Sequence, residues 1–279
     1  TPFDAYPDTL NGKMDAESCG LAAALKDPDI ALVTGADVLR LETGEDNHIS
    51  SIVYRHKGEE KRLSPKLVIL SAGAIRSATL LLSSANGRNP NGLANSSDQA
   101  GRNFMNHNAT FMLAIDPRTV NDSVYQKTIH FNDFYFDDGH GSGPLGQVQL
   151  LGRVTAPILK TRVPLVPEIA LNWICRHAVD WYLVSEDLPR KESRVRLDGP
   201  QVILEWRFSN MAAHHLLVKR VKERMRAAGY PILLSQLVDG RLPSHQCGTT
   251  RIGLDPATHV SDPWCRSFDH QNLFIVDAG

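Results

Sequence analysis

Four apolar residues, Leu67-Val68-Ile69-Leu70, run without a break into Ser71-Ala72-Gly73-Ala74, and a Leu-rich helical stretch from Ser77 to Ala85 follows. An unbroken apolar run of this length is the pattern of a central parallel strand buried on both faces. A turn of small residues lets a ligand come close to the backbone. The helix behind it offers unpaired N–H groups and the positive end of its dipole. Strand, turn and helix in this order call for a parallel partner strand, which commits at least part of the chain to an α/β arrangement. Two readings of the turn stay open at this level: a nucleotide-type site, or a plain connection packed by small side chains.

Upstream, residues 15–26 have helical spacing, and Asp27-Pro28-Asp29 stops the helix. Residues 30–41 read as strands broken near Gly35. A polar turn at 43–47, a strand at 49–55 and a charged turn at 56–60 complete a β-meander. The character changes near Asp116. Residues 147–154 alternate like a strand, 168–178 read as a helix, 181–185 as a strand, and 194–208 as a hairpin about Asp198-Gly199-Pro200. A helix follows, capped by Ser209 or Asn210 and ended at Gly229. Leu217, Val218, Val221 and Met225 form its apolar face, with Lys219, Arg220, Lys222 and Glu223 in solvent. Phe134, Tyr135 and Trp181 suit either a pocket lining or an ordinary core.

The 279 residues are 42% hydrophobic and 22% charged with a net charge of −1. That is a globular composition with nothing to attract nucleic acid or an anionic membrane. No apolar run approaches the roughly 18–20 residues of a membrane span. The four cysteines, Cys19, Cys175, Cys247 and Cys265, lack metal-type spacing and read as reduced thiols. No histidine pair has a supporting third ligand, so no metal site is expected. A Ser–His hydrolase using Ser71 or Ser77 lacks the Gly-x-Ser-x-Gly elbow.

Late in the chain, His245 lies three residues before a Gly248-Thr249 turn. Residues 72–84 resemble the second signature segment of the glucose–methanol–choline (GMC) flavoprotein oxidoreductases. Four further segments are similar to that family in order: Gly35-Ala36-Asp37-Val38-Leu39-Arg40-Leu41, then Gly101-Arg102-Asn103-Phe104-Met105-Asn106-His107, then His245-x-x-Gly248-Thr249-x-Arg251-x-Gly253, and Val276-Asp277-Ala278-Gly279. Asn106 stands where the family has Asp. The one Gly-x-Gly-x-x-Gly spacing, Gly141 to Gly146, is not in a strand-to-helix turn. Gly139 to Gly146 is rich in glycine but follows no apolar strand and opens no helix. The chain is therefore expected to be an internal and C-terminal portion of such an enzyme, lacking the N-terminal FAD phosphate loop and the extreme C-terminus.

The resemblance implies a fold that is α/β in part and α+β overall. Residues 1–115 would be a partial, Rossmann-like FAD-binding domain with a β-meander. Residues 116–240 would be an antiparallel-sheet substrate domain backed by helices, and 241–279 a return to the FAD domain carrying the catalytic histidine. It further implies an FAD-dependent alcohol or sugar dehydrogenase or oxidase, choline dehydrogenase-like. Hydride would pass from the substrate carbon to flavin N5, with His245 as general base; an unperturbed imidazole suits that task. Val38 would meet the adenine through its backbone, Ala72 and Gly73 would lie along the cofactor, and Asp277 and Ala278 would meet the ribityl–flavin end. His107 would sit near the flavin or brace the domain junction. The partners would be a small alcohol or sugar and an electron acceptor: oxygen, a quinone or another carrier. The compartment is unassigned, with the cytoplasm as the default. The alternative is a non-catalytic portion or remnant that does not bind FAD by itself.

Overall fold

The computed structural model describes Gly12 and residues 14–123, 127–238 and 245–279. A π-helical turn, Ala16–Leu21, capped by Asp15 and Ser18, runs into α1, Ala22–Ala24. The chain then forms β1 (Ala36–Thr43), β2 (Ile49–His56), β3 (Glu59–Leu63), β4 (Val68–Leu70), α2 (Gly73–Ser83), β5 (Asn108–Ile115), β6 (His130–Phe131) and β7 (Gln147–Leu150). It continues through α3 (Ala156–Lys160), α4 (Glu168–His177), β8 (Ala178–Ser185), β9 (Arg194–Asp198), β10 (Gln201–Glu205), α5 (Met211–Ala227), β11 (Ile232–Leu237) and β12 (Leu273–Ile275). The fold is a mixture of helices with mostly antiparallel sheets.

Two compact units result. One holds 31–106, 187–208 and 245–279; the other holds 107–186 and 209–238 together with the early helical turn. The sequence segmentation at 115 and 240 differs from this division in three places: the early helical turn and β5 group with the sheet unit, and the β9–β10 hairpin groups with the first unit. The hairpin belongs with α2 because Val195 N–H donates to Gly101 O at 2.7 Å and Phe104 N–H to Ser193 O at 2.9 Å. Ala78, Phe104 and Val195 close a small core there, with Ile75, Leu204 and Trp206 against it.

In the first unit β1, β2 and β3 form an antiparallel meander, and β4 pairs in parallel with β12, Val68 opposite Leu273 and Leu70 opposite Ile275. Leu41, Ile49, Leu81, Leu93, Val260 and Leu273 form the core. The continuous apolar run does not mean burial on both faces here. Val68 and Leu70 are buried, while Leu67 is 51% and Ile69 63% exposed. Among the described residues β4 has one strand neighbour and is covered on one face only. The helix also starts four residues earlier than its Leu-rich stretch suggests, at Gly73, whose φ of +80° costs a glycine little.

The second unit is a five-stranded antiparallel sheet in the order β11-β5-β8-β7-β6. α5 lays His214, Leu217, Val221 and Met225, at helical spacing, onto Met112, Leu145, Val148 and Leu183. Phe134 is core, Trp181 stacks edge-on with Phe131 at 5.5 Å, and Tyr135 is 48% exposed. The N-cap residue Asn210 adopts φ +55° and makes no side-chain cap.

Arg220 is not the solvated residue that the helix pattern suggests. Its Nε and Nη2 donate to Asp138 Oδ2 at 3.0 and 2.9 Å, and the Asp138 side chain is wholly buried. Asp138 Oδ1 accepts the N–H groups of His140 and Ser142, so the Gly-rich loop folds over its own carboxylate. Burial pushes the Asp138 carboxyl up, but Arg220 and those N–H groups outweigh it and hold it at about 2. His214, fully buried, sits between Thr110 and Ser185. Ser185 Oγ donates to Leu145 O at 2.6 Å, so it accepts from His214 Nδ1–H (2.9 Å), which leaves Nε2 to accept the Thr110 hydroxyl (2.8 Å). Burial first, and the neighbouring His215 second, push the His214 imidazole down to about 4.

Among the described residues no helix is long and apolar enough to cross a membrane, and no His, Cys, Asp and Glu cluster could hold a metal ion. All four cysteines are free thiols.

Both buried groups predict acid sensitivity. A histidine with a depressed folded-state pKa contributes stability that is complete above the unfolded value of about 6.5 and is lost as pH falls toward 4, up to about 3 kcal/mol. His214→Gln is expected to flatten denaturant midpoints between pH 7 and 4. Asp138, depressed from 3.8 to about 2, contributes stability present above pH 3.8 and lost below it. Asp138→Asn is expected to lower the midpoint at pH 6 and remove the further fall between pH 4 and 2.

Candidate functional site

The carboxyl end of the parallel pair gathers most of the residues singled out from the sequence. Val276 N–H extends the ladder onto Leu70 O at 2.9 Å, and Asp277 follows. Its Oδ2 accepts Gly73 N–H at 2.9 Å and the Ser77 hydroxyl, and its Oδ1 accepts Gly279 N–H at 2.7 Å. Ala72 is the N-cap residue of α2 and is exposed; its own N–H donates to Ser77 Oγ at 3.1 Å. The carboxylate thus takes the place of the side-chain cap that Ala72 lacks, at the end of the helix where its dipole favours negative charge. Ser77, weighed from the sequence only as a hydrolase nucleophile, is buried and hydrogen-bonded in this cap.

The histidine loop joins the same place. Gly248 N–H donates to Ala278 O at 3.1 Å. Thr249, fully buried, donates its hydroxyl to Ala74 O at 2.5 Å and accepts Gly101 N–H on its carbonyl at 2.8 Å. These bonds explain the motif physically. Gly248 has φ +93°, and a side chain there would collide with Asn103 O. Gly253 lies against the His259 ring, which leaves no room for a Cβ. Ahead of the turn, Cys247 and Met105 exchange backbone bonds at 2.9 and 3.0 Å. His245 itself is exposed, with φ +58°, at the mouth of this loop; Ser244 lies outside the described residues.

Val38 stands apart. It is on β1, 42% exposed, beside an irregularity in the β1–β2 register between Val38 and Arg40. β1 meets α2 at that helix's other end, where Leu41 N–H donates to Ser84 Oγ at 2.8 Å. Along a helix of this length the two ends are about 16 Å apart. His107 begins the stretch leading into β5, in the sheet unit.

Three features of the site carry no motif signal. One is Ser77 as a ligand of Asp277. Another is the Thr250 hydroxyl, buried with no hydrogen-bond partner. The third is Asp187, whose carboxylate accepts Asn106 N–H at 3.3 Å and Trp206 Nε1–H at 2.9 Å. The Cys247 thiol is pushed up by burial and, second, by Asp187.

Comparison with known proteins agrees with this geometry. Residues 3–109 match the N-terminal model of the GMC oxidoreductases and residues 234–279 the C-terminal model, together more than half of the chain. The chain is 28% identical to the fructose dehydrogenase large subunit of Gluconobacter japonicus, over 99% of its own length and 55% of the relative's. It is 26% identical to paromamine 6'-oxidase of Streptomyces fradiae, over 97% and 51%. It therefore spans about half the length of these relatives. Its fold is similar to pyridoxine 4-oxidase (TM-score 0.57, 19% identity, 89% of this chain and 53% of that one). It is also similar to formate oxidase from Aspergillus oryzae (TM-score 0.58, 15% identity, 90% and 56%). Two family models of one name, matching in order on either side of the sheet unit, account for the same segments that meet at Asp277: the chain belongs to the GMC oxidoreductase family.

Proposed function

We propose that the protein is an FAD-dependent oxidoreductase acting on a CH–OH group of an alcohol or sugar, with His245 as the proton acceptor. One observation carries this reading: three segments from distant parts of the chain, 72–77, 248–249 and 277–279, are hydrogen-bonded together at the end of one parallel strand pair. Ligands of open α/β sheets bind outside the carboxyl ends of the strands. Relatives named for acting on fructose and paromamine support the substrate class.

The residues present fit FAD on two counts. Gly73, at φ +80°, has no atom within 4 Å of where a Cβ would be, so the backbone at the helix start is open to a ligand. The buried, unpartnered hydroxyl of Thr250 offers a polar group inside the same junction. In this reading Val38 holds the adenine end through its backbone. Ala72 and Gly73 lie along the cofactor, and Asp277 and Ala278 face its ribityl–flavin end. The placement of Val38 and Gly73 toward opposite ends of α2 suits a long group. FAD, when bound, supplies the two-electron acceptor. The protein supplies His245, whose imidazole takes the hydroxyl proton as the C–H bond breaks, and the Gly248–Thr249 turn, which fixes the backbone behind it. Residues 1–115 and 241–279 serve the cofactor and 116–240 the substrate. The electrons leave to oxygen, a quinone or another carrier.

The purified full-length protein is expected to be yellow, with the absorption spectrum of a bound flavin; a colourless protein that takes up no added FAD rejects the proposal. His245→Ala is expected to lower turnover on the best alcohol or sugar by about 100-fold or more with flavin retained. Stopped-flow reduction at the wild-type rate would remove His245 from the mechanism. Gly248→Ala forces Asn103 away from the loop and is expected to cost about 10- to 100-fold in the same assay through misplacement of the base.

A further inference from the structure

We infer that Asp187, which lies outside every motif, is the positioning residue for the loop that carries His245; the inference rests on the proposed role of that histidine. Ahead of the Gly248–Thr249 turn the loop is tied into its unit at Cys247, through the two-way backbone pair with Met105. The Met105 segment is therefore the template on which the loop is laid, and the precision of the loop is no better than that of the template.

Asp187 holds that template. The next residue, Asn106, donates its N–H to Asp187 Oδ2, and the Trp206 indole N–H donates to the same oxygen. Oδ1 takes Leu188 N–H at 3.1 Å. Asp187 is 5% exposed, so without its carboxylate one buried and one part-buried donor would lose this acceptor. On the other side of Met105, Phe104 is fully buried, bonded to Ser193 O, and in edge contact with Trp206 at 5.8 Å. Trp206 packs in turn on Phe208 at 4.3 Å. Residues 104–106 are thus gripped by an aromatic ring before Met105 and a carboxylate after it, and Trp206 belongs to both grips. The field of Asp187 also reaches the loop, because it contributes to the raised thiol of Cys247.

A catalytic base must be held to within fractions of an ångström, and a displacement of about 1 Å costs about 100-fold. In the full-length protein, Asp187→Ala is expected to slow substrate-dependent flavin reduction about tenfold or more, as a fall in kcat with KM little changed and flavin content intact. Asp187→Asn keeps an acceptor oxygen for the Asn106 and Trp206 N–H groups, losing only the one for the adjacent Leu188 N–H, and is expected to restore the rate to within about threefold. Trp206→Phe, which removes one donor and keeps a ring, is expected to fall between the two. A readout independent of turnover is the pH dependence of Cys247 alkylation, followed by mass spectrometry. In Asp187→Asn the thiol is expected to titrate at lower pH than in the wild type, since a nearby negative charge is gone. Wild-type reduction rates in Asp187→Ala overturn the inference. So does an unchanged Cys247 titration in Asp187→Asn, or a loss of rate that Asp187→Asn does not repair. A wild-type protein without flavin would sink the proposed function alone, and the Cys247 titration would still decide whether Asp187 reaches the loop.

Discussion

One carboxylate, that of Asp277, joins the last strand of the chain to the first turn of α2. β4 and β12 are three residues each, so their ladder alone is a weak connection. Asp277 adds a backbone N–H from Gly73, a hydroxyl from Ser77 and a backbone N–H from Gly279. Bonds to a charged acceptor contribute roughly 1.5–3 kcal/mol each when shielded, and less at a half-exposed position such as this one. The helix dipole favours the same charge at the same place. The Gly248–Ala278 and Thr249–Ala74 bonds then hang the histidine loop on a joint already set by that interaction.

Much of this joint was legible in the sequence because its chemistry is local. Small residues after an apolar run mark a strand-to-helix turn, and a glycine at Gly248 marks a backbone that tolerates no Cβ. Residue spacing is silent about what arrives from far away. Nothing near Ser77 signals Asp277, 200 positions on, and nothing near Asn106 signals Asp187 or Trp206. The apolar run at 67–70 promised burial on both faces, yet Ile69 is exposed, because hydrophobicity reports what a strand tolerates and its neighbours decide what is covered. Arg220 misled for the opposite reason: a helix pattern places it on the solvent side, and a carboxylate on a distant loop draws it in.

The two units solve the problem of buried polarity differently. In the sheet unit the Asp138 side chain and His214 are taken fully inside, the first met by the part-buried Arg220 and two backbone N–H groups, the second by two hydroxyls. A matched set of this kind is costly to disturb and costs the protein its tolerance of acid. In the meander unit the polar groups serve as ties between segments instead. His270 is an example: its Nε2 accepts Ala94 N–H and its Nδ1 reaches Asn47 O, which fastens the first meander turn to the loop after α2.

The parallel pair of β4 and β12 has a consequence for how such a chain assembles and diversifies. Gly73 and Asp277 are 204 residues apart, and most of the intervening chain belongs to the sheet unit, whose strand pairings all close over a shorter range. The closing strand therefore waits for a loop that is already compact, and the entropic cost of that closure rises only by about 0.6 kcal/mol for each doubling of its length. Residues can be added to or removed from the inserted sheet at little expense to the joint. A topology of this kind lets the inserted sheet be rebuilt over evolutionary time while the strand end, the helix start and the carboxylate between them stay the same.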